Sequence, residues 1–278
     1  MLSCNTARRV FPRAVVMAGL AFLYLMLSGV SFAQAINPWT IASADFDADQ
    51  KADLIVGQPG QLGLSIFLSS GQTLDVPLDF APSAIAAGDV NGDGKPDLVL
   101  GGPGYLAILL SNGDGTFKDA AHYPMSDVTV SLAVGDLNGD GLADIIVLGA
   151  RQRTTVLLSN PDGTTQAPVS YSYGQIPTAI AVADFNRDGR LDLVVADAGT
   201  NQVLLAFGNG DGTFESPNGY AAGPLPRSLA VGDFNGDGIA DVGVGPDEVE
   251  RSTPLQVGSD NRCPTDAGVV DSAKLEPP

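Results

Sequence analysis

Cysteine, histidine and aromatic residues are scarce in this sequence, and each shortage removes a class of function. The 278 residues hold two cysteines, Cys4 and Cys263. Cys4 stands before an apolar stretch from Ala14 to Val30, which follows Arg8, Arg9 and Arg13 and leads to the triplet Ala33-Gln34-Ala35. A basic start, an apolar core and a small-residue cleavage point in that order read as a secretory signal, residues 1–35. Its removal strands Cys263, so the mature chain has no internal disulfide although an exported protein is free to form one. At 17 residues the apolar stretch also approaches bilayer-spanning length, so a retained anchor is the alternative to cleavage.

Histidine is represented by His122 alone. A zinc site built from His and Cys is therefore disfavoured. Ser126 and Asp127 lie close to His122 in sequence, but a catalytic triad is defined by geometry and not by proximity along the chain. No pair of opposed carboxylates free of another role suggests a glycosidase. The chain is expected not to be an enzyme, with a secreted hydrolase as the lesser alternative. Aromatic residues make up 6%, with Trp39 the one tryptophan, few for a surface that recognises sugars broadly by stacking. Tyr171, Tyr173 and Tyr220 are the candidate ligand contacts.

Basic residues are also few. There are 14 Lys and Arg against 32 Asp and Glu, a net charge of −18 that falls to −21 once the signal and its three arginines are gone. That imbalance excludes a basic face for nucleic acid or anionic membrane, and no membrane insertion is expected after signal removal. Disorder, the other reading of high acidity, conflicts with a 44% hydrophobic content arranged in short regular runs.

What the sequence does have is a nine-residue acidic segment repeated five times. Its first copy places Asp45, Asp47, Asp49, Lys51 and Asp53 at positions 1, 3, 5, 7 and 9. The same positions are held by Asp89, Asn91, Asp93, Lys95 and Asp97, and then by Asp136, Asn138, Asp140, Leu142 and Asp144. Asp184, Asn186, Asp188, Arg190 and Asp192 form the fourth copy, and Asp233, Asn235, Asp237, Ile239 and Asp241 the fifth. Successive copies begin 44, 47, 48 and 49 residues apart, a period that marks solenoids, propellers or arrays.

Short apolar runs flank each copy in the same order. Ala84–Ala87, Ser131–Val134, Ala179–Val182 and Ser228–Val231 precede the loops, and Leu54–Val56, Leu98–Leu100, Ile145–Val147 and Leu193–Val195 follow them. A third run, Leu106–Leu110, Thr155–Leu158 and Val203–Phe207, ends in the turns that begin at Asn112, Asn160 and Asn209. Runs of this length bounded by Gly, Asn, Asp and Pro read as strands. Asn-Gly and Asp-Gly supply the positive φ of tight hairpins. Ser69-Ser70-Gly71-Gln72 takes the matching place in the first unit, and Phe117 and Phe214 are expected between neighbouring units. The small residues Ala87, Gly88, Gly135, Ala183 and Gly232 permit close approach near a central axis.

The fold class that follows is all-β: a propeller-like array of four-stranded blades, about five units, the last one degenerate, with closure left open by the sequence. The repeat domain covers 36–245. Residues 246–278 lose the pattern, and Leu255–Val257 and Val269-Val270 are candidate remnants of the final blade or parts of an acidic tail.

Alternate acidic positions turn their oxygens inward when a loop curls round an ion, and position 7 can add its backbone carbonyl, which is all that Lys51, Lys95, Leu142, Arg190 and Ile239 offer. Hard oxygen donors in that number suit Ca2+, at about five sites. Gly94, Gly141, Gly189 and Gly238 stand at position 6, where a sharp turn favours positive φ, and Gln50 in the first copy predicts strain there. The segments lack the twelfth-position glutamate of an EF-hand.

These loops, each followed by an apolar strand and an N-G-D-G-T-F type of turn, resemble FG-GAP/VCBS repeats, the family related to the calcium-binding blades of integrin α-subunit propellers. The resemblance covers roughly 38–245. It implies that the Asp and Asn side chains named above are calcium ligands. Gln50, Thr165 in place of phenylalanine, and the faded last unit depart from its pattern. It also implies a secreted or cell-surface module, periplasmic in a bacterium, that binds a glycan or an extracellular protein and can self-associate. A non-binding structural envelope protein is the main alternative.

Overall fold

The computed structural model of the protein describes residues 40–58, 60–246 and 269–270. The expected signal 1–35, Trp39, Cys263 and the candidate strand 255–257 lie outside the described residues. All described elements are strands and turns.

The first blade is an antiparallel meander of β1 (Thr40–Ala44), β2 (Asp53–Gly57), β3 (Leu64–Phe67) and β4 (Thr73–Val76). The second contains β5 (Ala84–Gly88), β6 (Asp97–Gly101), β7 (Pro103–Leu109) and the first part of β8 (Ala121–Gly135). The third begins with the rest of β8 and continues through β9 (Asp144–Gly149), β10 (Arg153–Leu157) and β11 (Val169–Ser172). The fourth comprises β12 (Pro177–Ala183), β13 (Asp192–Asp197), β14 (Gln202–Ala206) and β15 (Asn218–Ala221). The fifth is a three-stranded sheet of β16 (Pro226–Gly232), β17 (Asp241–Pro246) and β18 (Val269–Val270). The Val269-Val270 remnant thus pairs with β17, Val270 opposite Val242 and Val269 opposite Gly243.

One feature departs from separate four-stranded units. Blades 2 and 3 form a single seven-stranded sheet because β8 runs for 15 residues, pairing with β7 in its first half and with β9 in its second. The other blade junctions carry breakers: Pro77 and Pro82, Gly174, and Gly223-Pro224. Between Met125 and Leu132 there is neither Gly nor Pro, so nothing interrupts the extended chain. The strand also shifts register between Thr129 and Ser131, a bulge that recurs in β12 and β16, which open separate sheets. Pro124 is accommodated within β8 opposite Tyr105.

Stacking decides which residues are buried. Successive side chains of a strand point to opposite faces, and the second strands of blades 2, 3 and 4 are buried on both. Ile55 packs with Leu98 and Leu100 of the next blade, Val99 with Ile145 and Val147, Ile146 with Leu193 and Val195, and Val194 with Val242 and Val244. Leu98, Val99 and Leu100 are all fully buried, which is why these strands are continuous apolar runs without alternation. Phe117 meets Phe46 of the first blade edge-on at 5.9 Å, and Phe214 joins the core between blades 3 and 4. A methyl group on Gly88 would meet Ala143 at 3.0 Å, and one on Gly135 would meet Leu191 at 2.6 Å. Those glycines therefore set the inter-blade spacing.

The inner strands neighbour one another in the order β1, β5, β8, β12, β16. No comparable packing joins β16 back to β1 among the described residues. The fifth blade, the last one described, differs from the others. Gly243 takes the place of Ile55, Val99, Ile146 and Val194, and Phe234 is 40% exposed where Phe46, Val90, Leu137 and Phe185 are at most 4% exposed.

Candidate metal centre

Each acidic loop joins the inner strand of a blade to its second strand, so all five occupy equivalent places in the repeat. Their construction starts at position 9. Asp53, Asp97, Asp144, Asp192 and Asp241 are at most 2% exposed. One oxygen of each accepts the backbone N–H of position 2: Phe46 at 2.8 Å, Val90 at 3.1 Å, Leu137 at 3.0 Å, Phe185 at 2.9 Å and Phe234 at 2.9 Å. In the first four blades the other oxygen accepts the N–H of Ser69, Ser111, Ser159 or Gly208, at 2.8 to 2.9 Å. The carboxylate thereby ties the loop to the hairpin after the third strand. Burial outweighs these two hydrogen bonds and pushes Asp144 and Asp192 up to about 6, and raises Asp97 as well.

Positions 1, 3 and 5 form a ladder of short side-chain-to-backbone bonds. Asp89 accepts N–H groups from Gly92, Asp93 and Gly94, and Asp136 and Asp233 do the same in their loops. Asn91 accepts from Asp93, and Asp93 from Lys95. Such local bonds hold a turn that would otherwise be open. The geometry demands positive φ twice. Position 6 has it, as expected, including Gln50 at 66°. Position 4 has it too, held by Gly92, Gly139 and Gly236 in three loops but by Ala48 at 59° and Arg187 at 62° in the others.

The first loop brings Asp45, Asp47 and Asp49 together, with one oxygen of each within 4.8 Å of the others. This is the one such grouping of three acidic, His or Cys side chains among the described residues. Asp53 is not part of it. Partial burial and the charges of Asp53, Asp49 and Asp45 push Asp47 up, whereas the Ser69 hydroxyl and the Lys51 ammonium, 2.9 Å from Asp49, pull Asp49 down. In the other loops position 3 is Asn. The amides of Asn138, Asn186 and Asn235 donate to Asp140, Asp188 and Asp237 at 3.0 to 3.1 Å, so the amide satisfies a carboxylate that in loop 1 is left to Lys51 and Ser69. Three converging hard-oxygen donors with no soft ligand in the group suit a cation such as Ca2+.

Several other candidates touch neighbouring side chains. Tyr173 is 7% exposed in the core between blades 3 and 4, stacked on Tyr171 at 5.3 Å. Tyr171 and Tyr220 pack against core clusters as well. His122 lies edge-on to Tyr105 at 5.3 Å. A groove of about 360 Å³ runs between β4 and residues 115–120, lined in part by Leu74, Asp75, Leu109, Phe117, Lys118 and Asp119. Sequence reasoning missed the serine N–H groups of the hairpins and the left-handed residue at position 4. The recurring Leu-Ser before the turns and the Asn-Gly pairs inside the loops are the signals that could have found them.

The FG-GAP-like repeat pattern matches this chain in four overlapping blocks, 45–100, 89–147, 136–195 and 184–244. The chain belongs to the FG-GAP-like repeat family. No curated protein matches the chain. Solved structures share its fold. One is BBS1N in complex with ARL6DN, 17% identical with a TM-score of 0.55 over 77% of this chain and 65% of that one. A lectin of Agrocybe aegerita that recognises non-reducing terminal N-acetylglucosamine is 25% identical, with a TM-score of 0.54 over 76% and 61%. The catalytically inactive virginiamycin B lyase of Staphylococcus aureus, solved with quinupristin, is 11% identical with a TM-score of 0.51 over 77% and 65%. The chain thus spans less than two thirds of the length of each. Similar folds occur in a lectin and in a lyase, so fold alone does not assign an activity.

Proposed function

We propose that this protein is an exported, calcium-stabilised binding module with no catalytic activity, which engages a glycan or an extracellular protein. The observation that carries the calcium part is the convergence of Asp45, Asp47 and Asp49 in a loop whose frame recurs in all five blades. Sixteen of the 32 acidic residues stand at positions 1, 3, 5 and 9 of these loops. A divalent ion offsets that like-charge crowding, and any ion that binds only the folded chain stabilises it. The first position supplies a carboxylate already fixed by backbone N–H groups, the third and fifth add their oxygens, and the position-7 carbonyl and position-9 carboxylate extend the donor set. Buried position 9 fixes the loop against its hairpin.

Binding is supported by the likeness to a sugar-binding lectin and by the groove between the first two blades. Asp75, Thr116, Lys118 and Asp119 border it with hydrogen-bonding groups over the apolar Leu74, Leu109 and Phe117, the composition of small-ligand sites in general. Thermal unfolding of the mature protein with calcium and with a chelator tests the first part; an unchanged transition and no calcium uptake would sink it. Glycan arrays probed with wild-type protein and with Lys118→Ala, in calcium, test the second. Binding lost in the variant supports the groove, whereas hydrolysis of a glycan by purified protein overturns the non-catalytic assignment.

A further inference from the structure

Three ion pairs occur among the described residues, and two of them stay each within its own loop: Lys51 with Asp49 in the first and Lys95 with Asp93 in the second. The third crosses between blades. Arg187, at position 4 of the fourth loop, extends its guanidinium to the fifth loop, donates to the backbone carbonyl of Asp237 and stands 4.0 Å from the Asp237 carboxylate. The same guanidinium nitrogen lies 3.2 Å from where a Cβ on Gly238 would sit. Arg187 holds this reach from a left-handed backbone, φ 62°, at a position that is glycine in three of the other loops.

Resting on the calcium reading above, we infer that Arg187 is a built-in cation for the fifth loop, ordering it without metal and making it take calcium more weakly than the third loop. Both groups of the pair are more than a third exposed, so the pair itself adds little to global stability. Its effect falls on the divalent ion. A guanidinium beside Asp237 repels a dication bound by that carboxylate, and it occupies an acceptor that otherwise faces solvent. Coulomb repulsion at this separation in high dielectric corresponds to a loss of roughly three- to tenfold in affinity. The third loop offers the contrast, since Leu142 stands at position 7 and Gly139 at position 4.

Hydrogen exchange on the full mature chain, read peptide by peptide during a calcium titration, separates the loops. Arg187→Gly and Arg187→Gln should lower the calcium concentration needed to protect residues 233–241 by about three- to tenfold, leaving the midpoints of 89–97 and 136–144 in place. Arg187→Lys should behave as wild type, and in chelator Arg187→Gln should exchange faster at 236–239. Glycine relieves the backbone strain and glutamine retains it, so agreement between them assigns the effect to charge. If the second and third loops respond to calcium while the fifth responds identically in all four proteins, the inference is overturned and the calcium reading stands. If no loop of the wild type responds, the calcium reading itself fails and takes the inference with it.

Discussion

Positive φ at Ala48 and Gln50 is a local cost that the first loop bears and the second and third do not. A side chain in the left-handed region costs about 1 kcal/mol relative to glycine. Ala48→Gly and Gln50→Gly should therefore each stabilise the protein by up to about 1 kcal/mol, less the entropy that glycine adds to the unfolded chain. The reverse change is cleaner. A Cβ on Gly94 or Gly141 meets nothing within 4 Å, so Gly141→Ala should destabilise by about 1 kcal/mol through φ alone. Equilibrium unfolding in urea measures both. Position 9 carries a larger effect. Asp144→Ala strands the buried N–H groups of Leu137 and Ser159 and should cost roughly 2–5 kcal/mol in calcium and in chelator alike. Asp140→Asn should lower the stabilisation by calcium while leaving the chelated protein nearly unchanged. Metal-free protein also has a pH signature. Asp144 and Asp192 sit at about 6 in the folded chain against an ordinary 3.8, so folding takes up protons between those values. Stability in chelator should be greatest near pH 4 and decline as the pH rises through 6, as melting temperatures across that range would show.

At the scale of the element, the strands were legible because each second strand is an apolar run three to five residues long, bounded by the acidic loop. The hairpins were legible from Asn-Gly and Asp-Gly. The fusion of blades 2 and 3 was not. Its signal is the lack of Gly or Pro between Met125 and Leu132, and an absence of breakers is weak beside a repeat that suggests a break. Side-chain direction was likewise hidden. The loop spacing suggested that positions 1, 3, 5 and 9 all face an ion; the structure groups Asp45, Asp47 and Asp49, and it shows the oxygens of Asp53 also accepting N–H groups from Phe46 and Ser69. The faces of the second strands differ in consequence too. Val194→Ala removes methyl groups between blades 4 and 5 and should destabilise by about 1–3 kcal/mol. Gly243→Ala has room, its new Cβ 3.5 Å from the Phe234 ring, and should be neutral or stabilising. Parallel denaturation of the two variants distinguishes a face that meets a neighbouring blade from one that meets none among the described residues.

For the whole molecule, the repeat of acidic loops makes charge a global variable. With a net charge of −18, the chelated protein should gain stability from added monovalent salt, which screens repulsion among exposed carboxylates within about 10 Å at 0.1 M. In saturating calcium that gain should shrink, because the ions have already offset much of the same charge. Melting curves over a salt series, with and without calcium, give the comparison; equal salt slopes would argue against metal in the loops.

The sequence by itself determined the all-β class, the period, the order of strands and loops, and which residue types gather at the acidic turns. Those properties depend on local pattern: alternation and burial fix strands, Gly and Asn fix turns, and repetition fixes the number of units. Tertiary structure decided which backbone groups the position-9 carboxylates hold, because the N–H of Ser69, Ser111, Ser159 or Gly208 arrives from a hairpin 14 to 16 residues away. It also decided that Tyr173 packs in the core, that Arg187 reaches the fifth loop, and that Phe234 stays exposed. Each of those depends on what a neighbouring strand or blade places beside the residue, a contact that no local pattern encodes.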